Sequence, residues 1–177
     1  MKQKLSLVFC MLVMMSGCAS TMDTMTPPME GAQSESDIAA IMTAANEGEI
    51  QQGQAARGRA SSADVRAFAD MMVTDHTNAL NQGRELFTRL GITPTDNATS
   101  SALRTSSQRT VTNLGTYSGP DFDRTYIRSQ VDLHQWLLNT LDTALIPSAR
   151  NAELRTFLQQ QRAAVATHLE HARRLQR

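Results

Sequence analysis

Cysteine is nearly missing from this chain: the two present, Cys10 and Cys18, both fall within the first 18 residues. With that leader removed and Cys18 modified, no thiol would remain for disulfides, thiolate catalysis or cysteine-held metal. Lysine is equally scarce, Lys2 and Lys4 being the only two. Beyond the leader, 15 arginines stand against 17 acidic residues, a net charge of −2. A basic footprint for nucleic acid is therefore absent. Long hydrophobic runs are lacking too. The longest, Leu5 to Met15, falls short of the roughly 20 apolar residues that a membrane-spanning helix requires. No segment alternates with the period of two that marks a half-buried strand. There is no glycine-rich phosphate loop and no His-Glu-x-x-His zincin motif. No serine is placed by its spacing to form a triad with His76 or His134.

What is present begins with an export signal. Lys2 and Lys4 supply a positive start, and the apolar run that follows closes abruptly on Met15-Ser16-Gly17-Cys18. That ending resembles the bacterial lipobox, with Met15 where a leucine is usual. The reading is a removable leader over 1–17, with Cys18 as the lipidation site and first mature residue. Two or more acyl chains would anchor it stably to a membrane. Ala19 follows, not aspartate, which by resemblance to enterobacterial sorting points to the outer membrane, on the periplasmic side. Ordinary cleavage after Ala19 or Ser20 is the alternative. Residues 18–34 show no periodicity and contain Pro27 and Pro28, as a tether does. Met22, Met25 and Met29 lie in it; thioethers can hold Cu(I), but three methionines in a flexible tether are more often compositional.

Residues 35–177 read as one helical domain. Ile38, Ile41, Met42, Ala45 and Ala56 recur at helical spacing between Asp37 and Ala60. Ser61-Ser62-Ala63-Asp64 starts a second helix, whose stripe runs from Val65 and Phe68 through Met72 and Leu80 to Leu90. Gly91 stops it and Pro94 lies beyond. Asp96 or Asn97 caps a weaker, Ser/Thr-rich helix reaching Leu114. Asp121 to Leu145 forms a third long helix that ends at Pro147, and Asn151 to Gln176 forms the fourth. The first and last pairs meet in tight turns, whereas about 30 residues, including the weak helix, link the pairs. These connections predict an all-α fold: a ferritin-like four-helix bundle, up-down-down-up, with a long crossover carrying a short extra helix.

The informative residues are polar ones on the apolar faces. Stepping 100° per residue places Glu49 on the first long helix, His76 on the second, His134 on the third and His168 on the fourth near the centre of each stripe. Counting residues from the helix ends puts all four near mid-bundle. Buried together, they could ligate one zinc, copper or iron ion. Alternatively, they could form a metal-free hydrogen-bonded network. Asp75 faces away from His76 as a surface group or a supporting one, and the Tyr126 hydroxyl could reach the cluster. His171, three residues after His168, reads as part of a solvated helix end.

Several segments carry a family resemblance. They are Ala44-Ala45-Asn46-Glu47-Gly48-Glu49-Ile50, Val65-Arg66-Ala67-Phe68-Ala69 and Met72-Val73-Thr74-Asp75-His76-Thr77. Phe122-Asp123, Tyr126, His134 and His168-Leu169-Glu170-His171-Ala172 continue the pattern. Over roughly residues 35 to 175 the chain resembles domain-of-unknown-function family 4142, bacterial exported proteins of ferritin-like fold. The resemblance implies a bundle outside the cytoplasm and no established activity. Di-iron bundles carry Glu-x-x-His motifs, but Val73 and Val165 stand three residues before His76 and His168, so a carboxylate-bridged di-iron oxidase is not expected. Three readings remain. The first is a lipid-anchored bundle that binds rather than catalyses, with one metal on Glu49, His76, His134 and His168. The second is an envelope structural or protein-interaction module whose Glu/His cluster is a metal-free polar network. The third, a metal-dependent redox enzyme, is disfavoured by the missing carboxylates.

Overall fold

The computed structural model describes residues 31–177, which are helical throughout apart from turns and contain no strand. The leader, Cys18 and the tether methionines lie outside the described residues. Helix α1 spans Glu35–Arg57, α2 Ala63–Leu90, α3 Ala98–Leu114 and α4 Gly119–Thr140. The last helix, α5, spans Ala152–Leu175. Local chemistry sets these limits. Ser34 and Asp37 form a reciprocal capping box at α1, each side chain accepting the other residue's backbone N–H. Ser62, Asn97 and Asn151 cap α2, α3 and α5 with side-chain oxygens. Gly91 closes α2 in the left-handed region at φ +67°, which glycine adopts without a Cβ penalty.

The end of α4 differs from the expected stop at Pro147. Leu141–Leu145 forms a π turn, in which the Ile146 N–H bonds the Leu141 carbonyl, and a final helical turn runs over Ile146–Ser148. Proline has no N–H to give and its ring crowds the carbonyl four residues back. Widening the preceding turn accommodates that ring inside the helix. The backbone turns extended only at Ala149.

Hydrogen bonds at the two ends fix the topology. At one end, the Gln33 N–H reaches Ser148 Oγ at 3.1 Å and the Asn151 N–H reaches Glu35 Oε1 at 2.6 Å. Gln33 and Ser34 thus already belong to the folded body, and α5 begins beside the start of α1. At the other end, the buried Asp123 carboxylate at the head of α4 accepts from the Ser61 N–H (2.9 Å), the Ser61 hydroxyl (2.6 Å) and the Ser62 N–H (2.7 Å). Loss of that acid would leave two backbone donors of the α1–α2 turn without a partner. The four long helices therefore run up, down, down, up. Helix α3 carries the chain back alongside α1 and parallel to it. Asn97 Nδ2 donates to Asp37 at α3's start, and the Arg59 guanidinium donates to the Leu114 and Tyr117 carbonyls at its end.

Helix α3 has little apolar surface and is held by closeness. A Cβ on Gly48 would lie 3.1 Å from Ser107 Cβ, and the Ser107 hydroxyl donates to the Gly48 carbonyl at 3.1 Å. On another face of α1, a Cβ on Gly53 would lie 2.9 Å from Val73 Cγ2 and 3.1 Å from the Ala69 carbonyl on α2. Small residues therefore let α1 sit tightly against both neighbours.

The apolar interior falls into two clusters. One gathers Ile38, Ile41, Phe87, Leu103, Leu141, Leu154 and Leu158, and the other Val65, Phe68, Met72, Leu114, Phe122 and Ile127. Each fully buried Phe contributes about 1.5–3 kcal/mol relative to exposure. A layer of buried polar side chains crosses the bundle between the clusters: Asn46, Glu49, Gln52, His76, Gln130, His134 and His168. That layer is where a site would be built.

Candidate metal centre

Helices α2, α4 and α5 each deliver one histidine to the polar layer. The three rings form a nearly equilateral triangle, with centroids 5.8 Å apart for His76 and His134, 5.3 Å for His76 and His168, and 5.4 Å for His134 and His168. One ring nitrogen from each lies within 4.8 Å of one from either other ring. All three residues are at most 5% exposed.

Each ring has one nitrogen already engaged. His76 Nδ1 lies 2.9 Å from Asn46 Oδ1. The Asn46 amide is oriented by its own Nδ2, which donates to the Met42 carbonyl at 2.7 Å and so leaves the oxygen for His76. His134 Nδ1 lies 2.9 Å from the Gln130 carbonyl one turn back on α4. His168 Nε2 lies 3.0 Å from Asp75 Oδ2 on α2. All three partners are acceptors, so each engaged nitrogen carries its proton and the tautomers are assigned. That leaves His76 Nε2, His134 Nε2 and His168 Nδ1 as bare lone pairs, buried and without a hydrogen-bond partner.

The electrostatics keep these rings neutral. Burial pushes His76 well below the ordinary imidazole value, with His134 and His168 adding to the shift. His134 falls to about 3 through burial and the nearby His168, against a small upward pull from the Gln130 carbonyl. His168 is lowered by burial, partly offset by the hydrogen bond and charge of Asp75. Neutral imidazole is the form that ligates metal. A ring whose other nitrogen donates to a carbonyl, amide oxygen or carboxylate is the usual arrangement at such sites.

Glu49 is placed differently from the three histidines. Expected from the sequence as a fourth ligand, it stands outside the set formed by the three histidines. Its Oε1 lies 3.6 Å from His134 Nδ1, the engaged nitrogen, so the carboxyl stands behind the ligand ring. The helix arithmetic aimed Glu49 at the interior, and it is buried there beside His134. Both of its oxygens lack a hydrogen-bond partner, and burial pushes its pKa up to about 8 against a smaller downward pull from the Gln130 amide. The Tyr126 hydroxyl is also buried and unpartnered; burial and the neighbouring Glu49 push its pKa well above 10. Asp75 meets His168 on the facing helix. Its side chain is 46% exposed. His171 does not join the cluster and packs edge-on against Phe68 with centroids 5.2 Å apart.

Asn46 escaped the sequence reading, although it sits three residues before Glu49 in a stretch otherwise rich in alanine and glycine, one turn from a buried acid. The Gln130 carbonyl left no signal at all, since any residue at that position would supply it.

Residues 20–175 match the family described as a domain of unknown function, DUF4142. The chain belongs to this family. No curated protein and no solved structure matches the chain. For this DUF4142 domain, the chemistry has to be read from the site. Three buried histidines with free lone pairs could hold a metal ion.

Proposed function

We propose that this protein is an exported, lipid-anchored helical bundle that holds one divalent transition ion (zinc, copper or iron) through His76, His134 and His168. The observation that carries the reading is the lack of any donor for three neighbouring lone pairs, His76 Nε2, His134 Nε2 and His168 Nδ1. A water has two protons and so leaves one of the three lone pairs without a donor, whereas a cation satisfies all three. The residues fit such an ion. Tetrahedral zinc with bonds of 2.0–2.1 Å places ligand nitrogens roughly 3.4 Å apart, so nitrogens within 4.8 Å of one another need only a small inward movement. Asp75 supplies a carboxylate beside the His168 ring, which offsets part of the charge of a buried dication.

Imidazole donors suit zinc, copper and iron alike. With no carboxylate between the rings to bridge a pair of ions, the arrangement supports binding one ion over di-iron oxidation. The leader Leu5–Met15 and Met15-Ser16-Gly17-Cys18 supports export and acylation at Cys18. The alternative, an envelope module with a metal-free network, draws support from the Gln130 to Gln52 bond at 3.1 Å, which ties α4 to α1 unaided. It leaves the three nitrogens unexplained.

Equilibrium dialysis of tag-free protein against Zn²⁺, Cu²⁺ and Fe²⁺ tests the reading. One ion per chain is expected for at least one of them, with binding lost in His76→Gln, His134→Gln and His168→Gln and retained in His171→Gln. A protein that takes up none of the three is a metal-free module. Separately, Cys18→Ser should move the protein from the membrane fraction to the soluble periplasm; a variant that remains membrane-bound contradicts the lipid anchor.

A further inference from the structure

Between α2 and α5 the bundle is incompletely filled. A cavity of about 200 Å³ opens there, walled on α2 by Asp75, His76, Asn78, Ala79 and Gln82, and on α5 by Gln161, Ala164, Val165 and His168. Two of the three candidate ligand rings are part of its wall. The seam stays open because α2 presents Ala79 and α5 presents Ala164 and Val165, side chains too short to close it, with Ala164 exposed to solvent. Three carboxamides, from Asn78, Gln82 and Gln161, share the wall and can donate N–H bonds. Asp75 is its only charged residue, and the 3.0 Å hydrogen bond from His168 Nε2 already engages one of its oxygens.

Three protein ligands do not complete a tetrahedral ion; a three-histidine site keeps one position for an outside ligand. We propose that this position is reached through the α2–α5 cavity and takes a small monoanion such as hydroxide or azide. The inference rests on the metal reading above. Charge selects the class: a dication on three neutral imidazoles, offset by the Asp75 carboxylate, leaves one positive charge for the incoming ligand. The amide groups suit the far end of a short polar ligand. The volume admits a few heavy atoms and excludes drug-sized molecules, whose pockets begin at about 300 Å³.

Tag-free protein loaded with Co²⁺ and titrated with sodium azide tests this, because the visible bands of cobalt report its coordination. Saturable change in those bands is expected in the unmodified protein. Ala164→Phe, at an exposed helical position, should keep the cobalt spectrum and the fold yet weaken azide binding by about tenfold. Cobalt bound with bands that azide leaves unaltered would mean the fourth position is closed; that overturns this inference and leaves the metal reading standing. Azide binding unchanged in Ala164→Phe would overturn the route. If cobalt gives no site spectrum at all, the metal reading fails and this inference fails with it.

Discussion

Zinc should raise the melting temperature of the protein by roughly 8–16 °C. Free ion at a thousandfold over its dissociation constant adds about 4 kcal/mol to the unfolding free energy when only the folded state binds. For a domain of this size each kcal/mol moves the midpoint by about 2–4 °C. The ligand nitrogens come from three different helices, with His76 on α2, His134 on α4 and His168 on α5. An unfolded chain would not present them together, so binding free energy becomes folding free energy. His134→Gln should abolish the shift while leaving a folded bundle. Glu49→Gln should keep about one to two thirds of it, because affinity is lowered by about 10–100-fold, the usual cost of losing a group that supports a ligand ring. Differential scanning calorimetry with and without Zn²⁺ checks both. An unchanged midpoint for the unmodified protein, at zinc concentrations that dialysis shows to be saturating, would contradict a site assembled by folding.

The metal-free protein should be most stable near pH 6.5 and lose stability on further acidification. The folded values of His76, His134 and His168 lie below the ordinary 6.5. Below pH 6.5 the unfolded chain therefore takes up protons that the folded chain refuses, and stability falls with pH. Glu49 acts oppositely. Its pKa is 4.5 when unfolded and about 8 when folded, so its contribution is full below 4.5 and is lost as pH rises to about 8. Below pH 6.5 the lowered histidines outnumber Glu49 and set the sign, so stability falls as pH falls. Above pH 6.5 only the Glu49 loss remains, and stability declines until about pH 8. Urea unfolding from pH 4 to 9, in chelator, measures the profile. Comparison with His76→Gln and His134→Gln separates the cluster from the surface ion pairs. Variant and parent profiles that superimpose would mean that these rings are not the source.

Much of this arrangement was legible in the chain, because its signals are local. Ser62, Asn97, Gly91 and Asn151 announce helix ends through their own side-chain and backbone preferences. A rotation of 100° per residue brought His76, His134 and His168 to one layer with no knowledge of how the helices pack. The same arithmetic does not say which nitrogen of a neighbouring ring a side chain approaches, and Glu49 stands 3.6 Å from Nδ1 of His134. Asp123 pins a turn 61 and 62 residues away in sequence, and nothing near it hints at that. The π turn before Pro147 was missed because proline was read as a stop, whereas a locally widened helix absorbs it. The fit of α3 against α1 depends on the missing side chain of Gly48 and the small Ser107, which a search for apolar stripes passes over.

The polar layer between the two apolar clusters also bears on how the molecule comes apart. Each cluster is a separate oil-like block, and the waist joining them owes much of its cohesion to a few directional bonds. With an ion clamped at the waist, α2, α4 and α5 are riveted together at the point where the bundle is otherwise least self-adhesive. Metal occupancy would then govern whether the two ends of the bundle yield together or one after the other.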